Sequence, residues 1–162
     1  MPVPLVIAAA AKNYKFNSDF LARTVEDLST EESFKSPAAN LNHAVWIVGH
    51  CIWARQRLLS RLGSDWTHPN LDIYARGAGL ADVSAFPAPA EILNAWRDSS
   101  AVLDSVLDSI SEEHLAQPAP PGPPSDDGKI SGIVNFLAVH ETYHVGQASY
   151  LRAWLGKKAL MG

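Results

Sequence analysis

The chain has 162 residues, of which 47% are hydrophobic and 19% are charged, and its formal net charge is −4. These values exclude a disordered chain and fit one domain over residues 1–162. No cluster of lysines and arginines is present, which disfavours nucleic acid as a partner. No apolar run approaches the roughly 18 residues of a membrane span. Cys51 is the only cysteine, so no internal disulfide can form, and we expect a soluble cytoplasmic protein.

The first predicted helix runs from about Leu5 to Leu28, where apolar residues recur at helical spacing. Asn13 and Asn17 interrupt its apolar stripe. We expect Asn13 at a boundary that reaches water, whereas Asn17 is a candidate for the wall of a pocket. The sequence that follows, Ser29-Thr30-Glu31-Glu32, has the form of a capping box and predicts one short helical turn.

The second predicted helix runs from about Asn40 to Leu62, with Asn40 or Asn42 as its N-cap and Gly63 just beyond its end. Residues 63–87 form a connection with little periodicity and several prolines and glycines. This connection is longer than most links between helices. A long crossover allows two successive helices to run in the same direction.

The third predicted helix runs from Ala90 to about Ile110, and the fourth runs from Ile130 to Leu155. In both halves of the chain a helix is followed by a capped turn, a proline and a second helix. The links within each half are short and the link between the halves is long. The sequence therefore predicts an all-α four-helix bundle in the order up-down-down-up.

Two histidines, His140 and His144, lie four residues apart in the apolar stripe of the fourth helix. This spacing stacks their side chains on one helix face. Buried imidazoles need polar partners, and one metal ion can serve both. Neutral imidazole suits zinc, nickel or iron. In the predicted bundle the second and fourth helices run antiparallel, which brings His50 opposite this pair.

The other three histidines are poorer candidates as ligands. His43 shares a face with His50, but seven residues separate them, or roughly 10 Å along a helix. We expect His43 at the rim or surface of the bundle. His68 and His114 lie in segments that resemble loops or turns, and we expect solvent around both.

Two known metal motifs overlap the fourth helix. His140-Glu141-Thr142-Tyr143-His144 satisfies the H-E-x-x-H signature of zinc peptidases. Residues 145–162 contain no histidine, cysteine or acidic residue to supply a third ligand, so only an inverted arrangement stays open. Glu141-x-x-His144 is also half of a di-iron motif. The second helix has no acidic residue, which argues against a di-iron site.

A further set of residues carries a family resemblance. The upstream part is Asn40 with Trp46-x-x-Gly49-His50, and the downstream part is His140-Glu141-x-Tyr143-His144-x-Gly146-Gln147 followed by Leu151-Arg152. The combination resembles the DinB-like (DinB/YfiT) superfamily over nearly the whole chain. The resemblance implies a four-helix bundle, frequent homodimers and a three-histidine metal site, here His50, His140 and His144. Members of understood chemistry commonly use low-molecular-weight thiols as cosubstrates.

Three aromatic and amide side chains near these histidines are candidates for a pocket, together with Asn17. Trp46 and Trp53 flank His50 by about one helical turn each, either as core packing or as aromatic walls. Gln147 lies close to the stripe that carries His144. It either orients a ligand or satisfies a backbone group.

Glu141 and Cys51 are neighbours of the candidate ligands in sequence, but both lie off the ligand line. Glu141 is either a hydrogen-bond acceptor behind a ligand or a solvated helix residue, and we expect the second. Cys51 points about 100° away from His50 around the helix, so we expect it to pack in the core.

Taken together, these features predict a metal-dependent transferase that activates a low-molecular-weight thiol for attack on a small-molecule electrophile. The expected cofactor is nickel, zinc or iron. Two alternatives stay open at this point: a metal-dependent hydrolase, and a non-catalytic bundle that binds a metal or a small ligand. We also expect a homodimer, both from the resemblance and from the five tryptophans in a chain of this size.

Overall fold

A computed structural model describes residues 2–78 and 82–161. Over these residues the chain is helical and contains no strand. The six α-helices, in chain order, are α1 (Ala8–Val25), α2 (Thr30–Ser33), α3 (Ala44–Arg61), α4 (Pro89–Ser109), α5 (Glu112–Leu115) and α6 (Ile130–Trp154). Three short 3-10 turns lie at Leu5–Ile7, Leu71–Tyr74 and Val83–Ala85. The four long helices form the predicted bundle.

The direction of each long helix follows from side-chain contacts between helices. Tyr14 of α1 donates to the carbonyl of Val134, and Arg152 donates to the carbonyl of Thr24, so α1 and α6 run parallel. Arg97 pairs with Glu26 and Asp108 with Lys15, so α4 is antiparallel to α1.

Helix α3 runs in the same direction as α4. The first turns of the two helices line one cavity, and Arg55 further along α3 donates to Ser100 further along α4. The order is therefore up-down-down-up, as predicted. The long crossover between α3 and α4 is what lets these two successive helices run parallel.

Helix boundaries differ from the predicted ones mainly at the starts of α1 and α3. Residues Leu5–Ile7 form a 3-10 turn rather than the first turn of α1. Helix α3 begins at Ala44, and its N-cap is His43, not Asn40 or Asn42. The Nδ1 atom of His43 accepts from the backbone N–H of Trp46 at 3.1 Å. The prediction missed this cap because histidine is not among the preferred N-cap residues.

The two one-turn helices match the repeat predicted from the sequence. Ser29 caps α2 in a complete capping box with Glu32, and Ser111 caps α5 by accepting from the N–H of His114. Each one-turn helix therefore redirects the chain between two long helices. The last helix is also held at its start, where the Asp127 carboxylate accepts from Ser131 and the N–H of Gly132.

A polar layer divides the core into two apolar clusters. One cluster lies around the first half of α3 and the last third of α6, and the other lies around the end of α3 and the start of α6. Four buried polar residues lie between the clusters, one from each long helix: Asn17, Arg55, Ser100 and Glu141. His50 and His144 are also buried, and their ring centroids lie 4.6 Å apart.

Among residues 2–78 and 82–161, no helix is both long and apolar enough to cross a membrane.

Candidate metal centre

Three histidines converge where α3 and α6 face each other. His50 lies near the middle of α3, and His140 and His144 occupy successive turns of α6. The Nε2 atom of His140 lies 3.3 Å from Nε2 of His50 and 3.2 Å from Nε2 of His144. One ligand atom from each of the three histidines lies within 4.8 Å of the others. The antiparallel packing predicted for these helices thus brings all three candidate ligands together.

These distances fit a single transition-metal ion. Two imidazole nitrogens bound at about 2.0–2.1 Å to one tetrahedral ion are separated by roughly 3.3 Å. The two separations around His140 have this value. Three nitrogen ligands also leave one position of a tetrahedron open, which is the pattern of a reactive site rather than a purely structural one. The three histidines are therefore positioned to bind a metal ion.

The outer nitrogen of His50 has a partner that sets its tautomer. The Nδ1–H of His50 donates to the carbonyl oxygen of Tyr74 at 2.6 Å. Because a carbonyl oxygen can only accept, Nδ1 carries the proton and Nε2 presents a lone pair. Tyr74 lies in the 3-10 turn of the crossover, so this long connection supplies the group that orients the first ligand.

His144 is oriented in the same way by Gln147. The Nδ1–H of His144 donates to Oε1 of Gln147 at 2.7 Å, and the amide of Gln147 donates to the hydroxyl of Tyr143 at 3.1 Å. The lone pair on Nε2 of His144 therefore points into the cluster. Gln147, predicted as a pocket residue, lies directly behind a candidate ligand.

His140 cannot donate a hydrogen bond to both neighbouring lone pairs, the one on Nε2 of His50 and the one on Nε2 of His144. If its single proton is on Nε2, only one neighbour is satisfied, and its buried Nδ1 is an acceptor with no partner among residues 2–78 and 82–161. If the proton is on Nδ1, that atom is an unpaired buried donor and three lone pairs face one another. Either tautomer leaves buried polar groups unsatisfied, whereas a cation between the nitrogens satisfies all three.

The environment keeps the imidazoles neutral. Burial lowers the pKa of His144 from 6.5 to about 4, with a further contribution from His50. Burial and the proximity of His50 and Arg76 lower the pKa of His140 to about 4. Burial also lowers the pKa of His50, partly offset by its bond to Tyr74. Neutral imidazole is the form that binds metals.

Two tryptophans hold the ring of His50 between them. Trp46 stacks on it with ring centroids 4.7 Å apart and planes 8° apart, and Trp53 stacks on the other side at 5.4 Å and 21°. Trp46 is buried, and Trp53 is half-buried and lies under the guanidinium of Arg57. Both predicted pocket residues therefore lie against a candidate ligand, where they limit rotation of its ring.

Asn17 lies away from the three histidines. Its side chain is fully buried in the polar layer, and its Nδ2 donates to Oγ1 of Thr142 at 3.1 Å. Thr142 lies on the side of α6 that faces α1, whereas His140 and His144 face α3. The structure therefore gives Asn17 a contact between α1 and α6 rather than a contact with a candidate ligand.

Glu141 is not solvated, contrary to our expectation. It is 3% exposed, and its two oxygens accept from Nε and Nη2 of Arg55 at 2.6 and 2.9 Å. Arg55 also donates to Ser100 and Ser18. Helical periodicity gave no sign of this pair, because the two residues are 86 positions apart in the chain. Cys51 is fully buried in the apolar core, and burial raises the pKa of its thiol.

His43 is a second residue, after Glu141, whose position we predicted wrongly. It is buried rather than at the surface, and its ring contacts the edges of Phe34 and Phe86 at centroid distances of 5.2 and 4.9 Å. It lies outside the three-histidine cluster, as expected from its spacing. His68 and His114 are half-buried and also lie outside it.

Gly49 is a functional residue that spacing arguments missed. A side-chain carbon at this position would overlap the ring of Tyr74, whose carbonyl binds His50. Glycine is thus required for the crossover to approach α3 closely enough to orient the ligand. In the sequence, Gly49 stood in the Trp46-x-x-Gly49-His50 motif and directly before a candidate ligand within a helix, where glycine lowers helix propensity.

A cavity of about 630 Å³ adjoins the cluster on its α6 side. Tyr143 and Gln147, which bracket His144, line it together with Asn40, Asn42 and other residues. Its size is in the range of small-molecule sites. Its lining combines polar side chains, such as Asn40, Asn42 and Gln147, with apolar ones, such as Ile47 and Leu151.

Comparison with known proteins agrees with this geometry. A family model described as the DinB superfamily matches residues 15–148, which is most of the chain. The chain belongs to the DinB superfamily. No curated protein matches it significantly. Among solved structures, this DinB-superfamily chain is similar to a conserved protein from Enterococcus faecalis, with 18% identity and a TM-score of 0.64 over 97% of this chain and 99% of that one. At this identity the similarity concerns the fold.

Proposed function

We propose that this DinB-superfamily protein binds a divalent transition metal through His50, His140 and His144. We further propose that it uses the open coordination position to activate a low-molecular-weight thiol for attack on a small electrophile. One observation supports the metal site best. The Nε2 atoms converge, and the Nδ1 atoms on the opposite side of two of these rings are already engaged in hydrogen bonds. His50 donates to Tyr74 and His144 donates to Gln147, so both lone pairs point at one place.

The thiol chemistry needs no separate general base. A cation held by His50, His140 and His144 would stabilise a thiolate over a thiol, so a bound thiol would lose its proton near neutral pH. In the transfer, the sulfur forms a bond to an electrophilic carbon, the leaving group departs with its electron pair, and the thiol proton passes to solvent. The histidines remain neutral ligands throughout, which agrees with their lowered pKa values.

The main alternative, hydrolysis, is less well supported by the residues around the cluster. It would require a general base close to the open position. Glu141, the only acidic residue of α6, is buried, and both of its oxygens accept hydrogen bonds from Arg55. A carboxylate engaged in this way is not available to take a proton from water.

Metal binding is tested first, by elemental analysis of protein purified without a chelating tag. We expect about one equivalent of nickel, zinc or iron in the wild type and a loss of at least tenfold in His50→Ala. His68→Ala is the matched control, because His68 is half-buried but lies outside the cluster. Equal metal content in wild type and His50→Ala would exclude the proposed site.

Thiol binding is tested on cobalt-substituted protein. Glutathione, bacillithiol and mycothiol are titrated separately while the visible and near-ultraviolet spectrum is recorded. A new thiolate charge-transfer band with one thiol, followed by turnover of a generic electrophile, is the expected result. If no thiol changes the spectrum and chelation strongly lowers thermal stability, the metal is structural and the transferase proposal is wrong.

A further inference from the structure

The three-histidine cluster is open to solvent on the side of His140. His50 and His144 are buried, whereas His140 is half-exposed. Phe136, which is 39% exposed, stacks on His140 with the ring centroids 6.4 Å apart. Trp53 stacks on His50 one turn further along α3, and because α3 and α6 are antiparallel it faces the part of α6 that carries His140. We refer to this side as the entrance, where a molecule that binds at the cluster passes Phe136 and Trp53.

Arg57 places a positive charge at the entrance. Its guanidinium carbon lies 5.0 Å from the ring centroid of Trp53, and the same ring centroid lies 5.4 Å from that of His50. A guanidinium over the face of an indole is held there by a favourable cation–π contact. Arg57 is exposed, so its N–H groups are accessible to a molecule in the entrance.

Arg76 brings a second positive charge to the cluster from the crossover. It follows two residues after Tyr74, whose carbonyl accepts from Nδ1–H of His50 at 2.6 Å. The Cα atom of Arg76 is therefore within roughly 7 Å of the Cα atom of Tyr74. Burial and the proximity of His50 lower the pKa of His140, and the guanidinium of Arg76 lowers it further. Arg76, which is exposed, thus lies within electrostatic range of the one half-exposed ligand.

These two arginines have no carboxylate partner among residues 2–78 and 82–161. Most of the other arginines each pair with an aspartate or a glutamate, namely Arg23, Arg55, Arg97 and Arg152. In the described chain, no carboxylate is among the groups that shift the pKa values of the three histidines. The entrance therefore carries positive charge that no neighbouring group compensates, although the net charge of the chain is −4.

We propose that Arg57 and Arg76 form an anion-binding subsite at the entrance, and that the thiol which the protein activates carries a carboxylate. This inference rests on the proposed function, because it concerns the thiol that would bind at the three histidines. With the sulfur at the histidines, the rest of the thiol lies in the entrance, where the two arginines are. A guanidinium binds a carboxylate through charge-assisted, bidentate hydrogen bonds. The thiol is then held at both ends, which fixes the direction in which its sulfur faces the electrophile.

A matched pair of thiols tests the subsite on cobalt-substituted protein. N-acetylcysteine and N-acetylcysteine amide differ only in that a carboxylate is replaced by a carboxamide. Each is titrated while the thiolate charge-transfer band is recorded, so the readout is binding and not turnover. In Arg76→Gln the affinity for N-acetylcysteine should fall about fivefold, which is the upper range for an exposed ion pair, and the affinity for the amide should not change. Arg57→Gln should act in the same direction.

Two further variants separate recognition of charge from a general disturbance of the site. Arg76→Lys keeps the charge but loses the planar fork of donors, so it should retain part of the affinity for N-acetylcysteine. Arg23→Gln removes an exposed arginine of α1 that lies outside the entrance, and it should bind both thiols as wild type does. High salt should weaken the binding of N-acetylcysteine more than that of the amide. Elemental analysis checks that every variant holds as much cobalt as wild type.

The outcomes for this inference and for the proposed function differ. If Arg76→Gln binds both thiols as tightly as wild type, or loses affinity for both equally, the anion-binding subsite is wrong. The proposed function would stand in that case, because a thiolate band in wild type still shows a thiol at the metal. If neither thiol produces a band in wild type, the proposed function and this inference are both overturned.

Discussion

Two polar clusters lie next to each other between α3 and α6, and they differ in how completely their groups are paired. The Arg55–Glu141 cluster is closed. Glu141 accepts from Nε and Nη2 of Arg55, Ser18 also accepts from Nη2, and Ser100 accepts from Nη1. The carbon at the centre of the guanidinium lies 3.6 Å from the ring centroid of Trp96. The three-histidine cluster is open, because its inner nitrogens face one another without enough protons to pair them.

This difference separates a structural cluster from a binding site. A buried polar network whose members are all paired stabilises one arrangement of helices. A network with converging unpaired acceptors is costly unless a ligand completes it. The two clusters use neighbouring residues of α6, His140 and Glu141, which point in different directions around the helix. The Arg55–Glu141 pair holds α3 and α6 in the register that the histidines need.

The largest effect is expected on breaking the closed cluster. Glu141→Leu leaves the Arg55 guanidinium buried without its counter-ion, so the free energy of unfolding should fall by about 3–5 kcal/mol. The double variant Arg55→Met with Glu141→Leu should recover most of this loss, since no uncompensated charge remains. Chemical denaturation of metal-free protein measures both.

A substitution of the half-exposed His140, in the open cluster, is compared with the substitution of Glu141 in the closed one. In metal-free protein, His140→Leu should cost far less than Glu141→Leu, because the open cluster contributes little to stability without its ligand. Equal losses at the two positions would contradict the distinction between a closed and an open cluster.

The second-largest effect is expected when a metal ion binds to the three-histidine cluster. A metal present at about 100 times its dissociation constant should raise the free energy of unfolding by about 2.7 kcal/mol, because it binds the folded chain selectively. Nickel, zinc and iron(II) salts are compared by thermal denaturation. His50→Gln should abolish the shift and His68→Gln should retain it. A shift that survives in His50→Gln would place the metal elsewhere.

An intermediate case is His43, whose Nδ1 is paired and whose buried Nε2 has no partner in the described part of the chain. Burial lowers its pKa from 6.5 to about 4. Below pH 6.5 His43 binds a proton in the unfolded chain but stays neutral in the folded chain. The free energy of unfolding therefore falls as the pH is lowered towards 4. At 1.36 kcal/mol per pKa unit, His43 accounts for about 2 kcal/mol of the loss between pH 6.5 and 4.5.

His43→Asn isolates this contribution, because asparagine is a good N-cap and does not titrate. The loss of stability between pH 6.5 and 4.5 should be smaller in this variant than in wild type by about 2 kcal/mol. Denaturation in urea at several pH values measures it. Identical curves for wild type and His43→Asn would refute the assignment.

The smallest effect is expected when the group that orients a ligand of the three-histidine cluster is displaced. Gly49→Ala should displace Tyr74 and remove the carbonyl that orients His50, which should weaken metal binding about tenfold. A competition titration with a chromogenic chelator measures the affinity. Gly146→Ala is the matched helical control, since a side-chain carbon there meets none of the described residues within 4 Å. Equal affinities in both variants would mean that the crossover does not orient His50.

Much of this molecule was accessible from the sequence by itself. Helical periodicity, the capped turns and the long central connection predicted four helices in the order up-down-down-up. The i, i+4 spacing of His140 and His144 predicted that they share a face, and the helix order placed His50 opposite them. These features are local or topological, so they follow from the spacing of residues and the lengths of the links.

Only the tertiary structure decided which polar residues pair across the bundle. Glu141 lies off the histidine line and looked solvated, yet Arg55, 86 positions away, pairs with it in the core. His43 was predicted at the rim or surface of the bundle, but Phe34 and Phe86 pack against its ring. The carbonyl of Tyr74 reaches His50 from a segment without periodicity. The physical reason is the same in each case: burial and hydrogen-bond pairing depend on side chains from distant segments, which no local pattern records.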